Sequence, residues 1–270
     1  MVKTNSVKAW LLATRPKTLS AAAVPVMIGT AFAWRNTSEQ FNWIPAILCL
    51  LFAWIMQIDS NLVNDYFDFK KGNDDETRLG PKRACSEGWI TSDAMVWGIL
   101  ITTLLGCMTG IPLILYGGLE MVMVGIACVV FCFLYTTLFS YHGLGDILVL
   151  LFFGIIPVCC TYYVCMPLHQ QIPTGEVIAS SIACGLAIDA LLIVNNYRDI
   201  DNDRSNGKIT LAVRLGESKT RRLYKSIGYI AAGIMIILVF FDLYQIDKFI
   251  PTYAIYLIYC LLYTSDAADE

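Results

Sequence analysis

WIPAILCLLFAWIMQIDSNLV, residues 43–63, runs without a break into NDYFD at residues 64–68. The first part is apolar enough, and at about 20 residues long enough, to cross a bilayer as a helix. The second part is acidic and falls where such a helix would leave the hydrocarbon. If the helix continues, Asn61, Asp65 and Asp68 recur at intervals of four and three and share one face, with Asn64 beside it. A second apolar run, 176–196, ends in the same way: Asn195, Asp199 and Asp203 recur every four residues, with Asn196, Tyr197, Arg198 and Asp201 between them. So many acids at two membrane-level points of an apolar chain suggest a metal ion holding something anionic.

Composition extends the reading to the whole chain. With 57% hydrophobic residues, 15% charged residues and a mean hydropathy of +0.60, this is a polytopic membrane protein. The predicted fold is all-α, a transmembrane helical bundle with about eight spans near 18–34, 43–63, 94–116, 119–139, 146–166, 176–196, 226–242 and 249–263. One membrane domain would cover 1–263, and the small, acidic residues 264–270 read as a non-native or disordered tail. The lipid bilayer is the expected surrounding, and nucleic acid is excluded as a partner. The ten cysteines lie mostly within apolar runs, so they read as small buried hydrophobes rather than a disulfide framework.

Basic residues set the orientation. Lys3, Lys8, Arg15 and Lys17 precede the first span; Lys70, Lys71, Arg78, Lys82 and Arg83 lie between the second and third; eight more, from Arg198 to Lys225, lie between the sixth and seventh. With a cytoplasmic N-terminus, all three segments fall on the cytoplasmic side by parity, as the positive-inside rule requires. Both acidic walls then face the cytoplasm together.

Clustered carboxylates repel one another and call for a compensating cation. Mg²⁺ fits best, because it is hard, oxygen-seeking, and commonly bridges a few carboxylates to substrate phosphates. Basic residues flank both walls: Lys70 and Lys71 follow the first, Arg78, Lys82 and Arg83 line its loop, and Arg198 and Lys208 bracket the second. Acids that hold Mg²⁺ beside cations that reach phosphate oxygens are what a diphosphate site requires. Among the remaining acids, Asp59 and Asp189 sit within apolar runs, where they are expected to line a wet cavity or stay protonated.

Asn-Asp-Tyr-Phe-Asp at 64–68 with Lys71-Gly72 and Asp74, then Asn-Asn-Tyr-Arg-Asp at 195–199 with Asp203 and Gly207-Lys208-Ile-Thr210-Leu-Ala-Val-Arg-Leu-Gly216, resemble the UbiA superfamily of intramembrane prenyltransferases. Arg15-Pro16-Lys17-Thr18-Leu19, Gly80-Pro81-Lys82-Arg83 and Gly143-Leu144-Gly145-Asp146 leading to Phe152-Phe153-Gly154 are similar to its branch that uses 1,4-dihydroxy-2-naphthoate in menaquinone synthesis. The likeness runs from about Trp10 to Gly216. Asp146 stands where the branch leads one to expect Glu, and Gly72 stands where the superfamily often has a third Asp, leaving Asp74 and Asp75 as alternatives for one ligand position.

The resemblance implies a bacterial inner-membrane enzyme with its site facing the cytoplasm and, as a family trait, nine helices, so the ninth would be missing or truncated. It implies Mg²⁺ held by Asp65, Asp68, Asp74, Asp199 and Asp203, the four aspartates other than Asp74 being catalytic. A polyprenyl diphosphate donor would ionise there, and the naphthoate ring would attack the allylic cation with loss of its carboxyl group. Asn61, Asn64, Lys71, Asn195, Tyr197 and Lys208 would bind substrate; Arg15, Lys17 or Arg198 would meet the acceptor carboxylate. Tyr66, Tyr135 and Tyr197 are candidates to shield the cation. A different acceptor within the same superfamily, and a cation carrier using the same acids, are the alternatives.

Overall fold

A computed structural model describes residues 2–37, 40–72 and 82–242, with side chains described as far as Phe240. Its order is α1 (Val7–Ala13), α2 (Leu19–Thr37), α3 (Trp43–Lys71), α4 (Ser92–Gly117), α5 (Glu120–Thr137), α6 (Gly145–Cys165), α7 (Gly175–Arg198), α8 (Ile200–Ser205) and α9 (Leu211–Asp242). Six of these helices, α3, α4, α5, α6, α7 and α9, are long and apolar enough to cross a membrane. The first expected span forms α2, whose 19 residues include Pro25, Arg35 and Asn36. The expected span at 249–263 and the tail at 264–270 lie outside the described residues.

Local chemistry sets the helix ends. The Asn42 side chain accepts from the Ile44 N–H to start α3, Thr91 accepts from the Ala94 N–H to start α4, and Thr174 accepts from the Val177 N–H to start α7. Gly72, at φ 74°, closes α3 in the left-handed conformation, with Lys70 and Lys71 in the last turn beside the carbonyl end of the helix dipole.

Small residues let the helices approach. A Cβ on Gly29 of α2 would fall 2.5 Å from the Val158 carbonyl oxygen of α6, and one on Gly154 of α6 would fall 2.6 Å from the Cα of Gly185 on α7. Backbone contact of this kind drives association where lipid removes the hydrophobic gain. Phe32, Val158, Tyr162, Val177 and Cys184 form one buried cluster at the α2, α6 and α7 crossing. Ala9, Ala13, Leu62, Val63, Cys85, Ile90 and Met95 form another, which seats α1 and the 82–91 loop against α3 and α4. Trp97, Leu104, Met108, Leu115, Met123 and Ile126 point outward on α4 and α5, an apolar belt suited to lipid.

The intramembrane acid Asp59 is fully buried and serves packing. It accepts from the Thr102 and Thr103 hydroxyls of α4, at 2.5 and 2.9 Å, tying that helix to α3. The nine described cysteines are all unpaired thiols, in keeping with their reading as small hydrophobes.

Candidate functional site

A chamber of about 1500 Å³ opens through the bundle. At its polar end Arg15, Lys17, Asn64, Lys82, Arg83, Asn195, Asn196, Arg198, Asp199 and Lys208 line the wall. Away from it the lining turns apolar, with Val26, Phe52, Met56, Val129, Phe131 and Phe152, and it reaches Gly110, Leu113 and Met121 near the far ends of α4 and α5.

The acids of the first wall take different partners. Asp65 turns away from the chamber: its two carboxylate oxygens accept from the backbone N–H groups of Ala84 and Cys85, at 2.8 and 3.0 Å. That contact brings the 82–91 loop back onto α3 and carries Arg83 inward. Arg83 is buried, donates from Nη2 to Asp68 Oδ2 at 3.0 Å, and donates from Nη1 to Asn64 Oδ1. Asn61 lines the chamber, but its amide N–H₂ is committed to the Thr14 carbonyl at 3.0 Å and the Thr18 hydroxyl at 2.9 Å, so it pins the α1–α2 hinge.

The second wall departs from the expected single helix. α7 ends at Arg198, Asp199 has φ −96° and ψ 12°, and α8 starts at Ile200. The break re-aims the chain at Asp199 while two backbone bonds, Asp199 N–H to the Asn195 carbonyl and Asp203 N–H to the Asp199 carbonyl, keep the spacing. Arg198 holds Asp199 in a bidentate pair, Nε at 2.9 Å and Nη2 at 3.0 Å. Lys208 Nζ stands 3.4 Å from Asp203 Oδ1, and the other Asp203 oxygen is buried with no hydrogen-bond partner among the described residues. Burial pushes the Asp203 carboxyl above the usual range; Lys208 draws it down, and the charges of Asp199 and Asp68 push it up again.

Thus the cations face the chamber and the acids stand beside or behind them. Of the acids expected at the site, Asp199 is on the chamber lining, and Asp65, Asp68 and Asp203 are not. Among the described residues no three His, Cys, Asp or Glu side chains converge closely enough to form a metal site by themselves. Asp74 and Asp75 lie outside the described residues, as do Arg78, Gly80 and Pro81.

Lys71 and Tyr197 are not brought to the lining. Lys71 donates to the Thr137 carbonyl at 3.0 Å and covers the Tyr141 ring, while the Tyr197 hydroxyl accepts from Arg221 Nε at 2.7 Å. Of the three tyrosines considered as cation shields, Tyr135 lines the chamber; Tyr66 packs edge-on to Phe67 instead. The sequence reading quotes Asn196 and Asp146 as motif members without a role, and it places Arg83 among the loop cations without a partner. For Arg83 the available signal is its place directly before the small pair Ala84-Cys85, in a loop able to pack on the helix it follows.

Fold and site together define an integral membrane protein with a cation-lined polar end that opens onto a largely apolar chamber. The sequence model described as the UbiA prenyltransferase family matches residues 22–269. Similarity to individual proteins agrees: 1,4-dihydroxy-2-naphthoate octaprenyltransferase of Escherichia coli (strain K12) is 38% identical over 250 residues, covering 89% of this chain and 78% of that one. A UbiA homolog from Archaeoglobus fulgidus, solved bound to DMAPP and Mg²⁺, shares the fold with a TM-score of 0.64 at 16% identity, covering 94% of this chain and 85% of that one. The apo structure of a UbiA homolog from Aeropyrum pernix K1 gives a TM-score of 0.67 at 14% identity over 90% of this chain and 86% of that one. The chain belongs to the UbiA prenyltransferase family.

Proposed function

We propose that the protein transfers a polyprenyl group from polyprenyl diphosphate to 1,4-dihydroxy-2-naphthoate, releasing diphosphate and CO₂ and forming demethylmenaquinol. The observation that carries this reading is a chamber whose polar end presents Arg15, Lys17, Lys82, Arg83, Arg198 and Lys208 and whose lining beyond them is largely apolar. The diphosphate fits the cations, and the prenyl tail fits the apolar length. The likeness to a relative named for this acceptor and an octaprenyl group supports the choice of substrates.

The donor set suits Mg²⁺. Asp203 keeps a buried oxygen without a partner among the described residues, and Asp68 and Asp199 lie within its electrostatic reach. Because no closed protein cage forms among the described residues, the fit is to an ion completed by substrate phosphates, the usual arrangement for Mg²⁺. Asp68, Asp199 and Asp203 would hold it, with Asn64 and Asn195 nearby. Bound there, Mg²⁺ supplies charge neutralisation to the departing diphosphate.

The chain's own residues do the rest. Arg83, fixed between Asn64 and Asp68, and Arg198, fixed on Asp199, are pre-oriented donors for phosphate oxygens, so little order is lost when the donor binds. Tyr135, Phe131 and Phe152 face the chamber beyond the cations, where aromatic faces stabilise an allylic cation and keep water out. The acceptor carboxylate would meet Arg15 or Lys17. By the positive-inside rule the polar end faces the cytoplasm, in the inner membrane of a bacterium.

Membranes containing the protein, supplied with Mg²⁺, polyprenyl diphosphate and the naphthoate, should yield a prenylated naphthoquinol detectable by mass spectrometry. Chelation should abolish product, and added Mg²⁺ should restore it. Asp199→Ala should lower the rate by roughly 10³-fold, the scale seen when one preorganised electrostatic group is removed. Product from hydroxybenzoate but not from the naphthoate would move the acceptor assignment to another branch of the family.

A further inference from the structure

Two further acids lie on α6 and α7. Asp146 in the first turn of α6 and Asp189 within α7 are buried, 9% and 4% exposed, and each has a carboxylate oxygen with no hydrogen-bond partner among the described residues. The two interact electrostatically with each other and with Tyr135 of α5. Neither forms an ion pair with a described Lys or Arg, unlike Asp68, Asp199 and Asp203. Asp146 and Tyr135 both line the chamber, and the Tyr135 hydroxyl lies 3.6 Å from the Cβ position of Gly145, beside the turn that carries Asp146.

A buried oxygen without a partner is costly, so the Asp146 wall calls for a ligand that donates a hydrogen bond. Anionic groups are repelled from it and belong at the cationic end. Of the two substrates, the donor carries only an anion and a hydrocarbon. An aromatic diol bearing a carboxylate matches both walls: its carboxylate suits the cations, and its hydroxyls suit the acids.

We propose that Asp146 binds the ring hydroxyl next to the acceptor's carboxylate and takes its proton as the ring attacks. The proposal rests on the prenyl-transfer reading above. The hydroxyl proton passes to the Asp146 carboxylate, and the freed oxygen electrons form a carbonyl. That drives the ring carbon bearing the carboxylate to bond to the allylic carbon, from which diphosphate has departed. The product is a β-keto carboxylate, so its carboxyl group leaves as CO₂ and the bonding pair returns to the ring as an enolate. Asp146 then gives the proton back to the enolate oxygen, restoring the hydroxyl with no net proton consumed.

Three substrates separate the outcomes: the naphthoate, its methyl ether at the hydroxyl next to the carboxylate, and a polyprenyl diphosphate with heavy oxygen at the bridging position. Scrambling of that label without acceptor reports donor ionisation alone. Asp146→Asn should lower transfer to the naphthoate by roughly 10²–10⁴-fold, the usual contribution of a positioned base, while scrambling stays at the wild-type rate. Asp146→Glu, which keeps the carboxylate, should recover much of the transfer. The methyl ether has no proton to give, so wild type and Asp146→Asn should treat it equally. Scrambling that falls in step with transfer, or an Asp146→Asn variant as active as wild type, overturns the proposal. If wild type makes no prenylated naphthoquinol at all, the failure lies in the functional reading itself.

Discussion

Asp65→Ala should destabilise the protein by about 3 kcal/mol and reduce prenyl transfer by two orders of magnitude or more, although Asp65 does not line the chamber. Its two oxygens accept from the Ala84 and Cys85 N–H groups, and hydrogen bonds to a charged group are each worth about 1.5–3 kcal/mol. Alanine leaves both buried donors orphaned and frees the loop that carries Arg83. Arg83 would then lose its hold on Asn64 and Asp68, leaving the Asp68 carboxylate buried without its cation. Thermal unfolding in detergent and product formation measure the two effects. Asp65→Asn, which keeps one accepting oxygen, should fall between wild type and Asp65→Ala in both. An Asp65→Ala protein of normal stability that fails only in metal dependence would return Asp65 to the metal site and refute the loop-anchoring role.

Gly154→Ala should cost about 3 kcal/mol, at the upper end for overpacking by a single methyl. The added carbon would stand 2.6 Å from both the Gly185 Cα and the Ser181 carbonyl oxygen, and neither can rotate away because both belong to the backbone of α7. Separating α6 from α7 would also shift Asp146 relative to Asp189 and move the end of α7 that presents Asn195 and Arg198. Gly233→Ala on α9 is the control: its Cβ meets nothing within 4 Å, so removing a helical glycine there should stabilise by up to about 1 kcal/mol. Parallel unfolding midpoints for the two variants decide the matter; equal midpoints would mean that α6 and α7 are not in backbone contact.

Much of the architecture was legible before any coordinates, because span length, capping residues and turn glycines are local properties. Gly118 and Gly143 take positive φ in the connectors where sequence put turns, and Gly72 does so at the end of α3. The 29-residue helix from Trp43 to Lys71 carries the acidic wall on one face as periodicity predicted, with Asn61, Asp65 and Asp68 all buried. The second wall was less legible. Spacing of four fits a continuous helix, yet the chain breaks at Asp199, and the hydrogen bonds that bridge the break preserve the spacing without preserving the helix.

The sequence by itself determined an all-helical membrane bundle and gathered the basic segments and both acidic stretches toward one end, since hydropathy, parity and helical period depend only on neighbours along the chain. Only the tertiary structure decided which charges meet. Asp65 took two backbone donors about 20 residues away, Asp68 took Arg83, and Asp146 was left on the chamber wall with an oxygen unpartnered among the described residues. Such pairings follow from how a loop folds back and which helices touch. A buried charge selects its partner by proximity in space, and that proximity is set by packing across the bundle rather than by spacing along it.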